Sequence, residues 1–147
     1  MRVAIVGAGA VGGTIAALLS RGGHEVTVTA RGEQLRTILD NGIELTGAWG
    51  DLTARVAASD VLTRTPELAF VTTKAQDAEA ALRQNAEFLD GITVVIVQNG
   101  LDALTVAQRV LPDADVVGAL ALYATSYLSP GTVAVTTDGI TCIGGSV

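Results

Sequence analysis

The sequence predicts an α/β fold, a mostly parallel sheet with helices on both faces and a β-hairpin near the C-terminal end. Three observations predict it. Near-continuous apolar runs of strand length recur, each followed by a stretch with apolar residues at helical spacing. The composition is 49% hydrophobic with 17 glycines but only 3% aromatic, a mix suited to strands buried on both faces and to closely packed helices. A glycine-rich turn joins the first apolar run to the first helical stretch. At 147 residues the chain buries one sizeable core, and one compact domain over residues 1–147 is expected.

Arg2 to Val6 is a short, mostly apolar run that reads as a buried strand, and Val11, Ile15, Leu18 and Leu19 follow at helical spacing before Gly22-Gly23 stops the helix. Glu25 to Thr29 alternates into a second strand, and Glu33 to Asn41 carries Leu35, Ile38 and Leu39 before Gly42 ends a second helix. Ile43 to Leu45 and Leu52 to Val56 flank the turn-like Gly47-Ala48-Trp49-Gly50, which predicts an inserted hairpin with Trp49 as a cap over it or over the core edge. The sheet resumes at Leu68 to Thr72. Ala75 to Leu89 reads as a helix, Ile92 to Val97 as a strand ending at Gln98-Asn99-Gly100, Ala103 to Leu111 as a short helix and Val116 to Tyr123 as a buried strand. Ser129-Pro130-Gly131 is a turn leading to Thr132 to Thr136 and Ile140 to Ile143, a terminal hairpin.

A net charge of −6 argues against a general nucleic-acid or acidic-membrane surface, either of which needs clustered Lys and Arg. The single cysteine, Cys142, forms no internal disulfide and reads as a buried strand residue; no Cys/His cluster has metal-ligand spacing, so a metal-free cytoplasmic domain is expected. The uncharged stretch from Val3 to Ser20 superficially resembles a signal peptide, but Gly7, Gly9, Gly12 and Gly13 break it, and nothing later reads as a transmembrane helix.

Gly7-Ala8-Gly9-Ala10-Val11-Gly12 follows a strand, opens a helix and begins a βαβ unit, the context that turns a weak G-x-G-x-x-G match into a Rossmann-like dinucleotide fingerprint. Gly7 permits the tight turn, Gly9 lets the backbone approach a pyrophosphate, Gly12 allows close packing of helix on strand, and the helix N-terminus offers N–H donors. FAD uses the same fingerprint. About 20 residues on, where an NAD site places an acid on the ribose 2′-hydroxyl, this chain has Arg31, whose guanidinium suits the 2′-phosphate of NADP(H). Glu33, two residues later, keeps an NAD reading open, although a first-turn acid is also accounted for by the helix dipole.

Three separated segments, Val3 to Gly12, Thr72-Thr73-Lys74-Ala75 and Val97-Gln98-Asn99-Gly100, together resemble the ketopantoate reductases, also called 2-dehydropantoate 2-reductases, and Ser129-Pro130-Gly131 with Gly139-Ile140-Thr141 and Ile143-Gly144 extends the likeness along the chain. The resemblance implies an NADPH-dependent reduction of a 2-oxo acid to a 2-hydroxy acid, ketopantoate to pantoate in coenzyme A biosynthesis or a related substrate. It implies pyrophosphate contacts from Gly7, Ala8, Gly9, Ala10, Val11 and Gly12, a 2′-phosphate contact from Arg31, Lys74 and Asn99 at the nicotinamide end with Asn99 also on the substrate, and Ala124 near the cofactor. It further implies a helical C-terminal domain carrying the catalytic Lys and most substrate contacts, absent from these 147 residues and supplied in cis or as a separate chain, with a homodimer allowed. Two departures bear on the substrate: Asp102 stands after Gln98-Asn99-Gly100-Leu101 where the family often has Gly, and reads as a helix cap; Gln76 stands where an aromatic residue is common.

The residues support this placement on their own chemistry. Lys74 and Asn99 each follow a predicted parallel strand, which sets them at the carboxyl edge of the sheet beside the glycine turn. Their plainer readings are a solvated Lys and a turn-forming Asn-Gly. Carbonyl reduction also needs a proton donor; the only histidine, His24, enters the second strand at the opposite edge, and Lys74 is the one candidate participant. No catalytic acid is therefore assigned within the chain. A stand-alone nucleotide-sensing module of the kind attached to potassium transport is the alternative function, and a purely structural interaction domain would leave the polar edge residues unexplained.

Overall fold

A computed structural model describes residues 1–100 and 102–146; Leu101, inside the Gln98-Asn99-Gly100 motif region, and Val147 lie outside them. Strand β1 (Arg2–Val6), helix α1 (Ala10–Arg21), strand β2 (Glu25–Thr29) and helix α2 (Gly32–Asn41) form the opening βαβα unit, one residue from the boundary expected for the second helix. Strands β3 (Ile43–Gly47) and β4 (Leu52–Ala54) pair antiparallel as the inserted hairpin. They are followed by β5 (Ala57–Ser59), β6 (Leu68–Val71), helix α3 (Ala75–Leu89), β7 (Thr93–Val97), helix α4 (Ala103–Val110), β8 (Asp115–Ser129) and β9 (Thr132–Ser146).

Among the described residues the strands form one nine-stranded sheet in the order β4-β3-β9-β8-β7-β6-β1-β2-β5, parallel throughout except at β3–β4 and β8–β9. The chain steps from β1 to β2, crosses to the far edge for β3 and β4, comes back beside β2 as β5, then passes to the other flank of β1 with β6 and continues to β7, β8 and β9. The direction reverses at β1, and open α/β sheets have their ligand crevice at the carboxyl ends of the strands beside such a reversal. Strand β3 pairs with β9 at the far edge, and α1 packs against β1, β2, β3, β4, β8 and β9, so the sheet curls around that helix.

The apolar pattern of each strand follows from what covers it. Val3 and Ile5 of β1 face the core beneath α1 and α2 with Val28, Ile38, Ile43, Leu45, Val133 and Val135. Ala4 and Val6 face the other core with Val71, Leu82, Leu89, Val94, Ile96 and Leu111 under α3 and α4. Both faces of β1 are dry, which is why its sequence reads as an unbroken run rather than an alternation. Among the described residues no helix is long and apolar enough to cross a membrane.

Three expectations need correction. A terminal hairpin forms, but around Ser129-Pro130-Gly131 with the fifteen-residue strands β8 and β9 as its arms, not between Thr132–Thr136 and Ile140–Ile143, which both belong to β9. The apparent break between Thr136 and Ile140 is an irregularity in one continuous strand, where the register shifts between Leu122 and Ala124 of the partner and Gly139 packs so close that a Cβ would lie 1.9 Å from the Leu122 carbonyl oxygen. Cys142 is exposed rather than buried: it sits opposite Leu120 of β8, which is exposed as well. Strand β5 was not foreseen: Ala57-Ala58-Ser59 has neither branched residues nor alternation, and it is a strand because β2 offers it an edge. Trp49 is half-buried as a cap, its ring 4.9 Å from that of Tyr123 and its Nε1 donating to Asp138 Oδ1 at 2.5 Å.

Candidate functional site

The turn between β1 and α1 is stitched to its neighbours by backbone geometry that only glycine allows. Gly7 has φ +104°, and a Cβ there would lie 2.8 Å from the Thr73 methyl and 3.0 Å from the Thr73 nitrogen. Its N–H donates to Thr29 Oγ1 at 3.0 Å, the Ala8 N–H donates to the Thr29 carbonyl at 3.1 Å, and the Thr72 hydroxyl donates to the Gly7 carbonyl at 2.6 Å. The first helical bond runs from the Gly13 N–H to the Gly9 carbonyl at 2.8 Å, which leaves the N–H groups of Gly9, Ala10, Val11 and Gly12 as the unpaired donors of the helix start. No side chain caps that end and its first turn holds no acid, so the positive end of the helix dipole is open to an anion. A Cβ on Gly9 would meet nothing within 4 Å, leaving clear backbone for a ligand to approach.

Two clefts meet at this helix end. One, of about 360 Å³, is lined by Gly7, Ala8 and Gly9 together with Thr29, Arg31, Gln34, Asp60, Asp77, Gln84 and Tyr127. The other, of about 220 Å³, is lined by Val11, Gln98, Asn99, Tyr123, Ala124 and Thr125. The structure thus brings Arg31 to the glycine turn on one side and brings Asn99 and Ala124 together on the other. Lys74 stands at the N-cap of α3, exposed, and lines neither cleft; its neighbour Thr73 lines the first. His24 sits between α1 and β2, at the opposite edge of the sheet. Asp102 holds the N-cap position of α4 but makes no capping hydrogen bond, contrary to the cap expected of it.

Sequence reasoning gave no role to two residues that shape the site. Gln34 on α2 donates from Nε2 to the Ala8 carbonyl at 2.6 Å, while its Oε1 accepts from the Gly131 N–H at 2.6 Å and the Tyr127 hydroxyl at 3.1 Å. It ties the glycine turn to the tip of the β8–β9 hairpin. Only its helical position facing the turn, three residues after Arg31, signals this in the sequence. Gln98 donates from Nε2 to the Thr73 carbonyl at 2.7 Å, bridging the ends of β6 and β7, and its buried Oε1 has no partner among the described residues. Tyr123 lines the second cleft; burial pushes its phenol above the ordinary value, with the Thr141 side chain pulling the other way.

Replacing Gln34 by Ala removes three hydrogen bonds that converge on the turn. A loss of about 1–3 kcal/mol in unfolding free energy, measured in urea, is expected because partly buried partners are left unpaired. Unchanged stability would show that the turn holds its shape without this bridge.

The sequence from residue 3 to residue 146 matches the model of the family described as ketopantoate reductase PanE/ApbA. The chain belongs to that family. A 2-dehydropantoate 2-reductase of Archaeoglobus fulgidus is 31% identical over 146 residues, covering 97% of this chain and 47% of the relative. The crystal structure of a PanE/ApbA family ketopantoate reductase from Ralstonia eutropha JMP134 superposes with a TM-score of 0.92 at 30% identity, over 97% of this chain and 49% of that one. A D-mandelate dehydrogenase solved with NADH and anilino(oxo)acetate shares the fold, with a TM-score of 0.87 at 21% identity over 97% of this chain and 47% of that one. The chain therefore spans about half the length of these ketopantoate reductase relatives.

Proposed function

We propose that the chain is the NADPH-binding half of an oxidoreductase that reduces a 2-oxo acid to a 2-hydroxy acid. One observation carries the reading: the open N-terminus of α1 and the Arg31 guanidinium line a single cleft, as the pyrophosphate and the 2′-phosphate of one cofactor require. Arg31 takes part in none of the salt bridges among the described residues, so its charge is not cancelled by a carboxylate. The N–H groups of Gly9 to Gly12 would hold the pyrophosphate, and Val11, Asn99 and Ala124 would border the nicotinamide in the second cleft. When bound there, NADPH supplies the hydride. Asn99, able both to donate and to accept, would orient the carboxamide or the substrate, and Lys74 would attract a carboxylate or a cofactor oxygen from the rim. Membership in a reductase family supports this reading over a regulatory nucleotide sensor.

The partner of this half is the remainder of the enzyme, in cis or as a separate chain. Leu120 and Leu122 on β8 lie opposite Cys142 and Ile140 on β9, all four exposed. This apolar strip adjoins a cavity of about 440 Å³ that Asn99, Leu120 and Cys142 share, so a structure seated on it would also close over Asn99. A single exposed thiol suits a reducing, cytoplasmic setting.

Fluorescence titration with NADPH and NADH tests the cofactor. The unmodified chain is expected to bind NADPH at least about tenfold tighter, and Arg31→Ala to remove most of that preference, since a charge-assisted phosphate contact is worth about 1.5–3 kcal/mol. Equal affinities before mutation would sink the assignment.

A further inference from the structure

We infer that Gln84 on α3 is a positioning residue that sets cofactor preference, holding the Arg31 guanidinium across the mouth of the first cleft without neutralising it. The inference rests on the NADPH reading above. Arg31 is the N-cap residue of α2, in extended backbone conformation, and its side chain leaves the end of β2 toward α3. There Nη2 donates to Gln84 Oε1 at 2.9 Å. The two side chains span the cleft that both line.

The wall that presents Gln84 is rigid. Asp77, Ala81, Gln84 and Asn85 share one face of α3 at helical spacing and all border the cleft. Asn85 is buried and locks that face in place, its Nδ2 donating to the Ala81 carbonyl at 2.8 Å and its Oδ1 accepting the Leu62 N–H at 2.8 Å. The second of these bonds also fixes the loop bearing Asp60. The helix position that carries the acceptor for Arg31 is thus fixed relative to the cleft.

The chemical identity of that acceptor is what matters. An amide oxygen orients a guanidinium but carries no net charge, so four of its five N–H donors and its full positive charge stay available. The same cleft contains Asp60 and Asp77, yet neither forms a salt bridge with Arg31 among the described residues. A carboxylate at position 84, by contrast, would make a bidentate, charge-neutralising pair and leave a dianionic 2′-phosphate facing three acids, with no uncancelled cation among the described residues that line the cleft. Both partners are exposed, so the contact contributes little to folding; its consequence falls on ligand discrimination.

The test compares Gln84→Glu and Gln84→Ala with the unmodified chain by titration with NADPH and with NADH, after thermal melts establish that all three are folded. Gln84→Glu is expected to weaken NADPH at least about tenfold, and Gln84→Ala about threefold, with NADH unchanged within about twofold in both. Adding salt should narrow the difference between the Glu variant and the parent, as screening of a like-charge repulsion requires. NADPH affinity unaffected by both substitutions, or NADH falling in parallel with NADPH, would overturn the inference while leaving the NADPH reading intact. A parent chain without preference would overturn both.

Discussion

Gly12→Ala is expected to abolish dinucleotide binding and to cost about 1–3 kcal/mol or more of stability, because the added methyl has nowhere to go. Its carbon would lie 1.9 Å from the Gly7 carbonyl oxygen and 2.4 Å from Thr72 Oγ1. Neither atom is free to retreat. The carbonyl belongs to a residue at φ +104° and accepts the Thr72 hydroxyl at 2.6 Å, and Thr72 is anchored by its own N–H donating to the Val6 carbonyl at 3.0 Å. Relief therefore has to come from α1 moving off β1, which opens the core that Ile15, Ala16 and Ala17 share with Val3 and Ile5 and swings the N–H groups of Gly9 to Gly12 away from the cleft. Gly9→Ala is the control. Its methyl would meet nothing within 4 Å, so the melting temperature should hold while affinity for both NADPH and NADH falls if the pyrophosphate lies against that backbone. Denaturant unfolding together with titration separates the two effects; a Gly12→Ala chain with parental stability and affinity would show that α1 is not held at this distance.

The contrast between these glycines shows what kind of information the sequence carries. Spacing was enough to place Gly7, Gly9 and Gly12 on a strand–turn–helix, and the helical and strand periodicities placed β1, α1, β2, α3 and β7 within about a residue, because each is buried by neighbours that demand that period. Where burial is incomplete the signal fades. Cys142 and Ile140 carry the composition of a buried strand, yet they are exposed, since strand composition does not reveal whether a helix lies on top. Strand β5 has no apolar pattern because it is an edge strand of three residues, defined by its partner.

The site divides along the same line. The placement of Arg31 and Asn99 at the clefts was legible because each stands two residues beyond the end of a parallel strand, and such positions share one edge of the sheet. That of Gln34 and Gln84 was not. They sit on helix faces that meet the site only after the sheet has curled and the helices have docked, and glutamine on a helix surface is ordinarily a solvated residue. Lys74 shows the limit in the other direction: its place after β6 was readable, but the structure leaves its side chain exposed outside both clefts. A rim position of that kind fits long-range attraction of an anion better than contact with a reacting atom.

Residues 1–147 alone are expected to bind NADPH but to reduce a 2-oxo acid at least about a hundredfold more slowly than when the second half of a relative is fused or added, since a positioned general acid contributes about 10²–10⁴-fold. The hydride's electron pair forms the new C–H bond at the carbonyl carbon, the π pair of the C=O bond moves onto the oxygen, and that oxygen must take a proton. Around Asn99 the second cleft is lined by Val11, Val97, Gln98, Ala121, Tyr123, Ala124 and Thr125, with no carboxylate, ammonium or imidazole among them. Tyr123 is the one ionisable group there, and burial shifts it the wrong way for this task, above the ordinary value of 10.0, making it a weaker acid at neutral pH. Its ring is also held against Trp49. The donor is then expected from whatever seats on the apolar strip of β8 and β9 beside Asn99. The decay of NADPH absorbance with a panel of 2-oxo acids, with and without that second half, checks this. Robust turnover by the 147-residue chain that Tyr123→Phe abolishes would place the acid within this half and reverse the assignment.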